Sequence, residues 1–164
     1  MGIEPPAVRR RLSAPLHVEG RTPLHADGDI QLPKTTLSPV KSQKILIAED
    51  DPSSLELVRA FLESEGYDVE AAQDGNRALD LGGTGQYALL ILDVHMPLYE
   101  GVEVLQMLRK RFLHHPMKII ALTADARPEL REELMREGID GYLTKPVSLD
   151  DLGSEVNRLL AVST

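Results

Sequence analysis

Two short stretches of the chain are apolar at almost every position, and they constrain the fold more than any other feature. They are ALLIL at 88–92 and KIIAL at 118–122, interrupted only by Lys118. A strand with one solvent-exposed face alternates apolar and polar residues, whereas a parallel strand covered on both faces has a continuous run of apolar residues. The chain is therefore predicted to build a parallel sheet with helices on both sides.

Strand and helix patterns alternate around these two runs. Further strands are predicted at 44–48, 68–72 and 141–144, and helices at 53–66, 75–81, about 100–113, 127–138 and 148–161. The apolar stripes of the first and last helices are formed by Leu55, Val58, Phe61, Leu62 and by Leu149, Leu152, Val156, Leu159. Right-handed crossovers then leave a doubly wound α/β fold with a five-stranded parallel sheet and five helices, and the flavodoxin-like strand order 2-1-3-4-5 is expected.

The first part of the chain differs in composition from the rest. Six of the eleven prolines lie in the first 43 residues, where no strand or helix period is sustained. This pattern predicts a flexible arm or linker at 1–42, followed by one domain at 43–164.

Charge and composition exclude several classes of function. Residues 44–164 hold 12 Lys and Arg against 22 Asp and Glu, a net of −10, so direct nucleic-acid binding is not expected. The chain has no cysteine, which excludes disulfides and thiolate sites. No run of the sequence approaches the length of a membrane span, and a cytoplasmic location is expected.

Polar residues follow four of the predicted strands. The first strand is followed by Glu49, Asp50 and Asp51, and the third by Asp93. The fourth is followed by Thr123, and the fifth by Lys145 and Pro146. The carboxyl ends of parallel strands meet at one edge of the sheet, where ligands bind in such folds. These side chains are therefore expected to converge.

Three converging acids at this edge need either protons or a cation. Two carboxylates about 4 Å apart repel by roughly 4 kcal/mol at an effective dielectric constant near 20. Oxygen ligands without cysteine suit a hard ion such as Mg²⁺. With Lys145 and Thr123 opposite the metal, the edge would hold phosphoryl oxygens, and Asp93 is placed to act as a nucleophile.

The motifs ILIAEDDP, LLILDVHMP, IIALTAD and GYLTKP, with their spacing, resemble the receiver domain of two-component response regulators. The resemblance covers residues 44 to about 161. It implies that Asp93 is the phosphoacceptor and that Asp50, Asp93 and the backbone carbonyl of His95 bind Mg²⁺, or alternatively Mn²⁺. It also implies that Glu49 acts on the metal through water.

Further roles follow from the same resemblance. Thr123 and Lys145 correspond to the hydroxyl and the cation that bind the phosphoryl group, and Lys145–Pro146 to a cis peptide. Tyr142 corresponds to an aromatic rotamer switch, although a half-buried strand aromatic is the alternative. His95 and Asp125 occupy positions that tune phosphoryl lifetime.

One further acid and one pair of histidines are interpreted as structural. Asp51 is interpreted as the N-cap of the first helix, with metal binding as the alternative. His114 and His115 are interpreted as cations at the end of the third helix.

The resemblance implies phosphorelay signalling. A sensor histidine kinase or a histidine phosphotransfer protein would donate the phosphoryl group, and the fourth helix, fifth strand and fifth helix (roughly 127–161) would change shape to dock an unknown downstream protein or to dimerise. Such a domain assists its own phosphorylation and dephosphorylation but is not otherwise an enzyme. The alternatives are a phosphorylation-independent binding module on the same scaffold and, far less favoured, an aspartate-nucleophile phosphatase. Both a stand-alone regulator and the receiver portion of a hybrid protein remain open.

Overall fold

A computed structural model describes residues 43–111 and 117–161 of the chain. The predicted arm at 1–42, Phe112 and the pair His114 and His115 lie outside these residues, so the boundary of the arm and the role of the two histidines stay predictions.

Five parallel strands alternate with five helices in the described part of the chain. The strands are β1 (Lys44–Ala48), β2 (Asp68–Ala72), β3 (Leu89–Asp93), β4 (Lys118–Thr123) and β5 (Gly141–Thr144). The helices are α1 (Pro52–Ser64), α2 (Gly75–Gly82), α3 (Gly101–Arg111), α4 (Pro128–Arg136) and α5 (Leu149–Leu160). The sheet has the order β2-β1-β3-β4-β5, which confirms the predicted topology.

The two faces of the sheet are covered by different helices. Alternate strand residues such as Ile45 and Ile91 pack with the apolar residues of α1 and α5. Their neighbours, such as Leu46 and Leu90, pack with α2, α3 and α4. Because both faces are buried, β3 and β4 carry apolar side chains at successive positions.

In the predicted stripes of the first and last helices, Leu55, Val58 and Leu62 are buried, whereas Phe61 and Leu149 are only partly buried. Leu152 and Val156 are buried as expected, but Leu160 is buried while Leu159 is only partly so. A helical turn has 3.6 residues, so spacing alone cannot decide which of two adjacent leucines at the end of a stripe is buried.

Glycine at position 153 is explained by the packing of two helices. A Cβ atom there would lie 3.0 Å from Cζ of Phe61 on α1. The small residue lets α1 and α5 approach each other on the same face of the sheet. In the part of the chain that the structure describes, no helix combines the length and the apolar character needed to cross a membrane.

Candidate functional site

The sheet topology brings the predicted polar residues to one edge. β3 lies between β1 and β4, and β5 pairs with the far side of β4. Asp93 and Thr123 are the last residues of their strands, and Lys145 directly follows β5. The backbone N–H of Lys145 donates to the carbonyl oxygen of Thr123 at 2.8 Å, which fixes the start of the β5–α5 loop beside β4.

Three carboxylates converge at this edge. Glu49, Asp50 and Asp93 each offer an oxygen, and these oxygens lie within 4.8 Å of one another. Glu49 is 2% exposed and Asp93 4% exposed, whereas Asp50 faces solvent. A set of hard oxygen donors with one side open to water fits Mg²⁺, which keeps several water ligands when bound to proteins. The residues present therefore fit the predicted metal.

Lys145 bridges two of the acids. Its Nζ donates to Oε2 of Glu49 at 2.6 Å and to Oδ2 of Asp93 at 2.9 Å. Burial raises the pKa of Glu49, although the Lys145 hydrogen bond opposes this. Burial alone would lower the pKa of Lys145, but its hydrogen bonds to Glu49 and Asp93 outweigh that effect and raise it. The ammonium group therefore stays charged beside both carboxylates.

Both oxygens of Asp93 have hydrogen-bond donors. Oδ2 accepts from Lys145, and Oδ1 accepts from the backbone N–H of His95 at 2.9 Å. The His95 backbone thus lies against the acid, while its side chain is exposed. These contacts hold the Asp93 carboxylate in one orientation at the end of β3.

Thr123 ends β4, the strand that pairs with β3, and is fully buried. Its Oγ1 accepts a hydrogen bond from the backbone N–H of Asp125 at 2.9 Å. The hydroxyl of half-buried Tyr142 donates to the carbonyl oxygen of Asp125 at 2.9 Å. The guanidinium of Arg131 lies 5.5 Å from the centre of the Tyr142 ring, within cation–π range.

Asp51 acts as a helix cap. Its side chain accepts the backbone N–H of Ser54 at 2.7 Å, and this hydrogen bond lowers the pKa of Asp51. The backbone N–H of Asp51 in turn donates to Oε1 of Glu49 at 3.1 Å. The N-cap interpretation is confirmed, and the same turn helps to orient Glu49.

The comparisons with known proteins agree with this geometry. The family model of the response regulator receiver domain matches residues 45–157. The chain belongs to the response regulator receiver family. The matched range spans the first strand to the last helix, so it covers nearly all of the described part of this receiver domain.

Individual relatives lie in different kinds of protein. The receiver domain is 39% identical over 115 residues to the peroxide stress-activated histidine kinase mak3 of Schizosaccharomyces pombe, covering 66% of this chain and 5% of the kinase. The chain also matches two curated bacterial regulators and spans about half the length of each, 52% of one and 49% of the other.

Solved structures show the same fold. The receiver domain of the Francisella response regulator 1452 matches with 36% identity and a TM-score of 0.67, covering 71% of this chain and 95% of that one. A second match comes from the Saccharomyces cerevisiae co-crystal structure of the histidine phosphotransfer signaling protein Ypd1 with the receiver domain of its downstream response regulator Ssk1. It has 26% identity and a TM-score of 0.66, covering 72% of this chain and 88% of that one.

The predicted residues come together in this receiver domain, with two additions. The predicted set Glu49, Asp50, Asp93, His95, Thr123, Asp125, Tyr142 and Lys145 gathers at the carboxyl edge of the sheet, and the Lys145–Pro146 peptide bond is cis. Their chemical roles stay predictions.

Gly101 and Arg127 are the additions that sequence reasoning missed. A Cβ on Gly101 would lie 2.5 Å from Cα of Val94 and 2.8 Å from the carbonyl oxygen of Asp93, so only glycine lets α3 start so close to the acid. Arg127 binds the carboxylate of Asp125. A glycine directly before an apolar helical stripe and an Asp-x-Arg spacing were the only signals in the sequence.

Proposed function

We propose that this receiver domain takes part in phosphorelay signalling by accepting a phosphoryl group on Asp93. The observation that carries the proposal is the buried Asp93 carboxylate held between Lys145 and the His95 backbone, with Glu49 and Asp50 beside it. This arrangement combines a nucleophile, a fixed cation and a set of metal ligands at one point. Phosphoryl transfer requires mainly positioning and charge neutralisation, and the site offers both.

The transfer step is a substitution at phosphorus. An oxygen of the Asp93 carboxylate attacks the phosphorus atom of a phosphohistidine, and the P–N bond breaks. The imidazole nitrogen keeps the bonding electron pair, and because the second ring nitrogen of the phosphohistidine carries a proton, the side chain leaves as neutral imidazole. With acetyl phosphate as donor, the P–O bond to acetate breaks instead and acetate leaves with the electron pair.

Asp50, Asp93 and the His95 carbonyl would hold Mg²⁺ directly, and Glu49 would do so through water, with Mn²⁺ as a substitute. The ion would neutralise charge on the phosphoryl oxygens and on the three acids. Lys145 would then move from bridging Glu49 and Asp93 to pairing with a phosphoryl oxygen. The buried hydroxyl of Thr123 would donate to a second oxygen.

Phosphorylation is proposed to shift an existing equilibrium between two conformations. The phosphoryl group adds about 1.5 to 2 negative charges. Movement of Thr123 and Tyr142 would pass this change to the face formed by α4, β5 and α5. Moving the two populations from 1:99 to 99:1 requires about 5.5 kcal/mol of differential stabilisation.

The proposed partners are a sensor histidine kinase or a histidine phosphotransfer protein, and a downstream protein that docks on the α4–β5–α5 face. The match to a co-crystal structure that contains a phosphotransfer protein and a receiver domain supports the first of these. Dimerisation through the same face and a cytoplasmic location belong to the proposal. The domain would assist its own phosphorylation and dephosphorylation without turning over another substrate.

The test is intact mass after incubation with acetyl phosphate, with Mg²⁺ or with EDTA. We expect the wild-type protein to gain one phosphoryl group with Mg²⁺ only, and Asp93→Asn to gain none. Asp150→Asn, which changes an exposed acid in the first turn of α5, is the matched control and should load like the wild type. No gain under conditions that load a control receiver would favour the phosphorylation-independent binding module, or a receiver that relies strictly on its kinase; no gain from a phosphorylated histidine phosphotransfer protein either would refute the proposal.

A further inference from the structure

The turn between β4 and α4 is organised around Asp125. Its backbone N–H donates to the Thr123 hydroxyl oxygen and its carbonyl accepts from Tyr142. Because the N–H occupies an acceptor position of the Thr123 hydroxyl, the proton of that hydroxyl remains to be donated elsewhere. Asp125 therefore lies directly beside the group proposed to bind phosphoryl oxygens.

The carboxylate of Asp125 is paired with Arg127. The Arg127 Nε donates to Oδ2 at 2.8 Å and to Oδ1 at 3.0 Å, and its backbone N–H donates to Oδ1 at 3.0 Å. These hydrogen bonds lower the pKa of Asp125 to about 2. The Asp125 side chain is 18% exposed and that of Arg127 is 72% exposed, so the arginine covers the acid on its solvent side. The charge of the acid is cancelled where the turn meets solvent.

A groove of about 630 Å³ lies between α3 and α4 next to this pair. Val94 and His95, which directly follow Asp93, form part of its wall. Three carboxylate side chains line it as well, those of Glu100, Glu103 and Glu133. Of the nine lining residues in the described part of the chain, Arg127 is the only lysine or arginine. Arg127 is thus the cation of an otherwise mainly acidic surface beside the end of β3.

We propose that Arg127 determines how well the site accepts highly charged phosphodonors, because it cancels the Asp125 carboxylate beside the Thr123 hydroxyl. The inference rests on the proposed function of Asp93. It assigns to Arg127 a role in donor specificity, separate from the chemistry at Asp93.

The size of the effect follows from the charge of the donor. A carboxylate that has lost its arginine partner and lies about 7 Å from the donor in water lowers the encounter rate about threefold for each unit of negative charge on the donor. Acetyl phosphate is a dianion near neutral pH and phosphoramidate is a monoanion. Losing the charge of Arg127 should therefore slow loading by about threefold for phosphoramidate and by about ninefold for acetyl phosphate at low salt. A purely structural defect would slow both donors by the same factor.

The experiment measures loading of Arg127→Gln by intact mass with each donor and Mg²⁺, at about 10 mM and about 300 mM ionic strength, since salt screens exposed charges. The expected result is a larger loss with acetyl phosphate than with phosphoramidate, which shrinks at high salt. Arg127→Lys and the double variant Asp125→Asn with Arg127→Gln should both restore the wild-type ratio of the two donor rates. Arg136→Gln makes the same charge change at the far end of α4 and should leave the ratio unchanged.

Equal losses with the two donors, or a double variant that keeps the altered ratio, would overturn the role of Arg127 and leave the proposed function intact. Failure of the wild-type protein to load from either donor would overturn the inference, and failure to load from a phosphorylated histidine phosphotransfer protein as well would overturn the proposed function.

Discussion

Replacing Lys145 by Met removes the cation that two buried carboxylates share. Methionine has a similar length and can occupy the same space, so the main change is the loss of charge. Glu49 and Asp93 are then left with no ammonium group beside them, at 2% and 4% exposure. The substitution removes the hydrogen bonds from Nζ of Lys145 to Glu49 at 2.6 Å and to Asp93 at 2.9 Å.

The expected cost is large for a single substitution. Removing one partner of a fully buried ion pair costs about 3–5 kcal/mol, because the other charge is left without compensation. The Lys145 side chain is 24% exposed, and water can partly solvate the acids after the change. We therefore expect the free energy of unfolding to fall by about 2–3 kcal/mol near pH 7.5 without Mg²⁺.

The penalty should also depend on pH. The pKa of Glu49 is already raised in the folded protein by burial, and losing Lys145 raises it further. An acid with a raised folded pKa is protonated more readily in the folded state, so the variant recovers stability as the pH falls. The pKa of Lys145 is raised in the folded protein, so the stability that Lys145 contributes to the wild type is fully present below pH 10.5, its ordinary pKa. That contribution is therefore constant between pH 5 and pH 7.5. The difference between the two proteins should therefore shrink from pH 7.5 to pH 5.

Urea unfolding followed by circular dichroism at the two pH values measures this difference. Lys118→Met is the matched control, because Lys118 pairs with Asp140 at 3.5 Å and its side chain is 46% exposed. Such a surface pair contributes about 0–1 kcal/mol. A Lys145→Met protein as stable as this control, or a loss that is the same at both pH values, would refute the reasoning about the buried acids.

Three further substitutions test the packing of two glycines and the cap of α1. Gly101→Ala should lower the free energy of unfolding by about 2–3 kcal/mol in urea titrations and slow loading from acetyl phosphate, because the new Cβ meets the Val94 backbone at 2.5 Å. Gly153→Ala should lower the free energy of unfolding by less, since the new Cβ meets only the end of the Phe61 side chain at 3.0 Å and alanine gains helix propensity. Equal losses in the two variants would contradict this. Asp51→Ala should lower the thermal midpoint at pH 7 by removing the cap on Ser54, whose hydrogen bond depresses the pKa of Asp51 below 3.8. The Asp51 contribution is present above pH 3.8 and lost as the pH falls through the folded pKa, so a difference in midpoint that persists below the folded pKa would argue against the cap.

Much of the fold can be read from the sequence because the strands are short, apolar and bounded by polar residues. The bounds 44–48, 68–72 and 141–144 match β1, β2 and β5. Thr123 was expected after β4 but is its last residue, since strand pairing with Thr144 extends one position beyond the apolar run. Spacing alone could not place Leu160, rather than Leu159, in the core.

The convergence of the site could also be predicted, because topology alone carries strand ends to one edge. What the sequence could not supply are contacts between side chains far apart in the chain. The bridge from Lys145 to Glu49 joins residues 96 positions apart. The need for glycine at 101 depends on how closely α3 approaches the end of β3. The role of Arg127 depends on the direction of one exposed side chain toward Asp125.

The central claim is that Asp93 carries the phosphoryl group, and mapping the modified residue tests it most directly. Protein loaded from acetyl phosphate with Mg²⁺ is reduced with borohydride, which converts an aspartyl phosphate to homoserine, and is then digested and sequenced by mass spectrometry. The account predicts homoserine at position 93 and nowhere else. Homoserine at Asp50 or Asp51, or modification of Glu49, with Asp93 unchanged would contradict it.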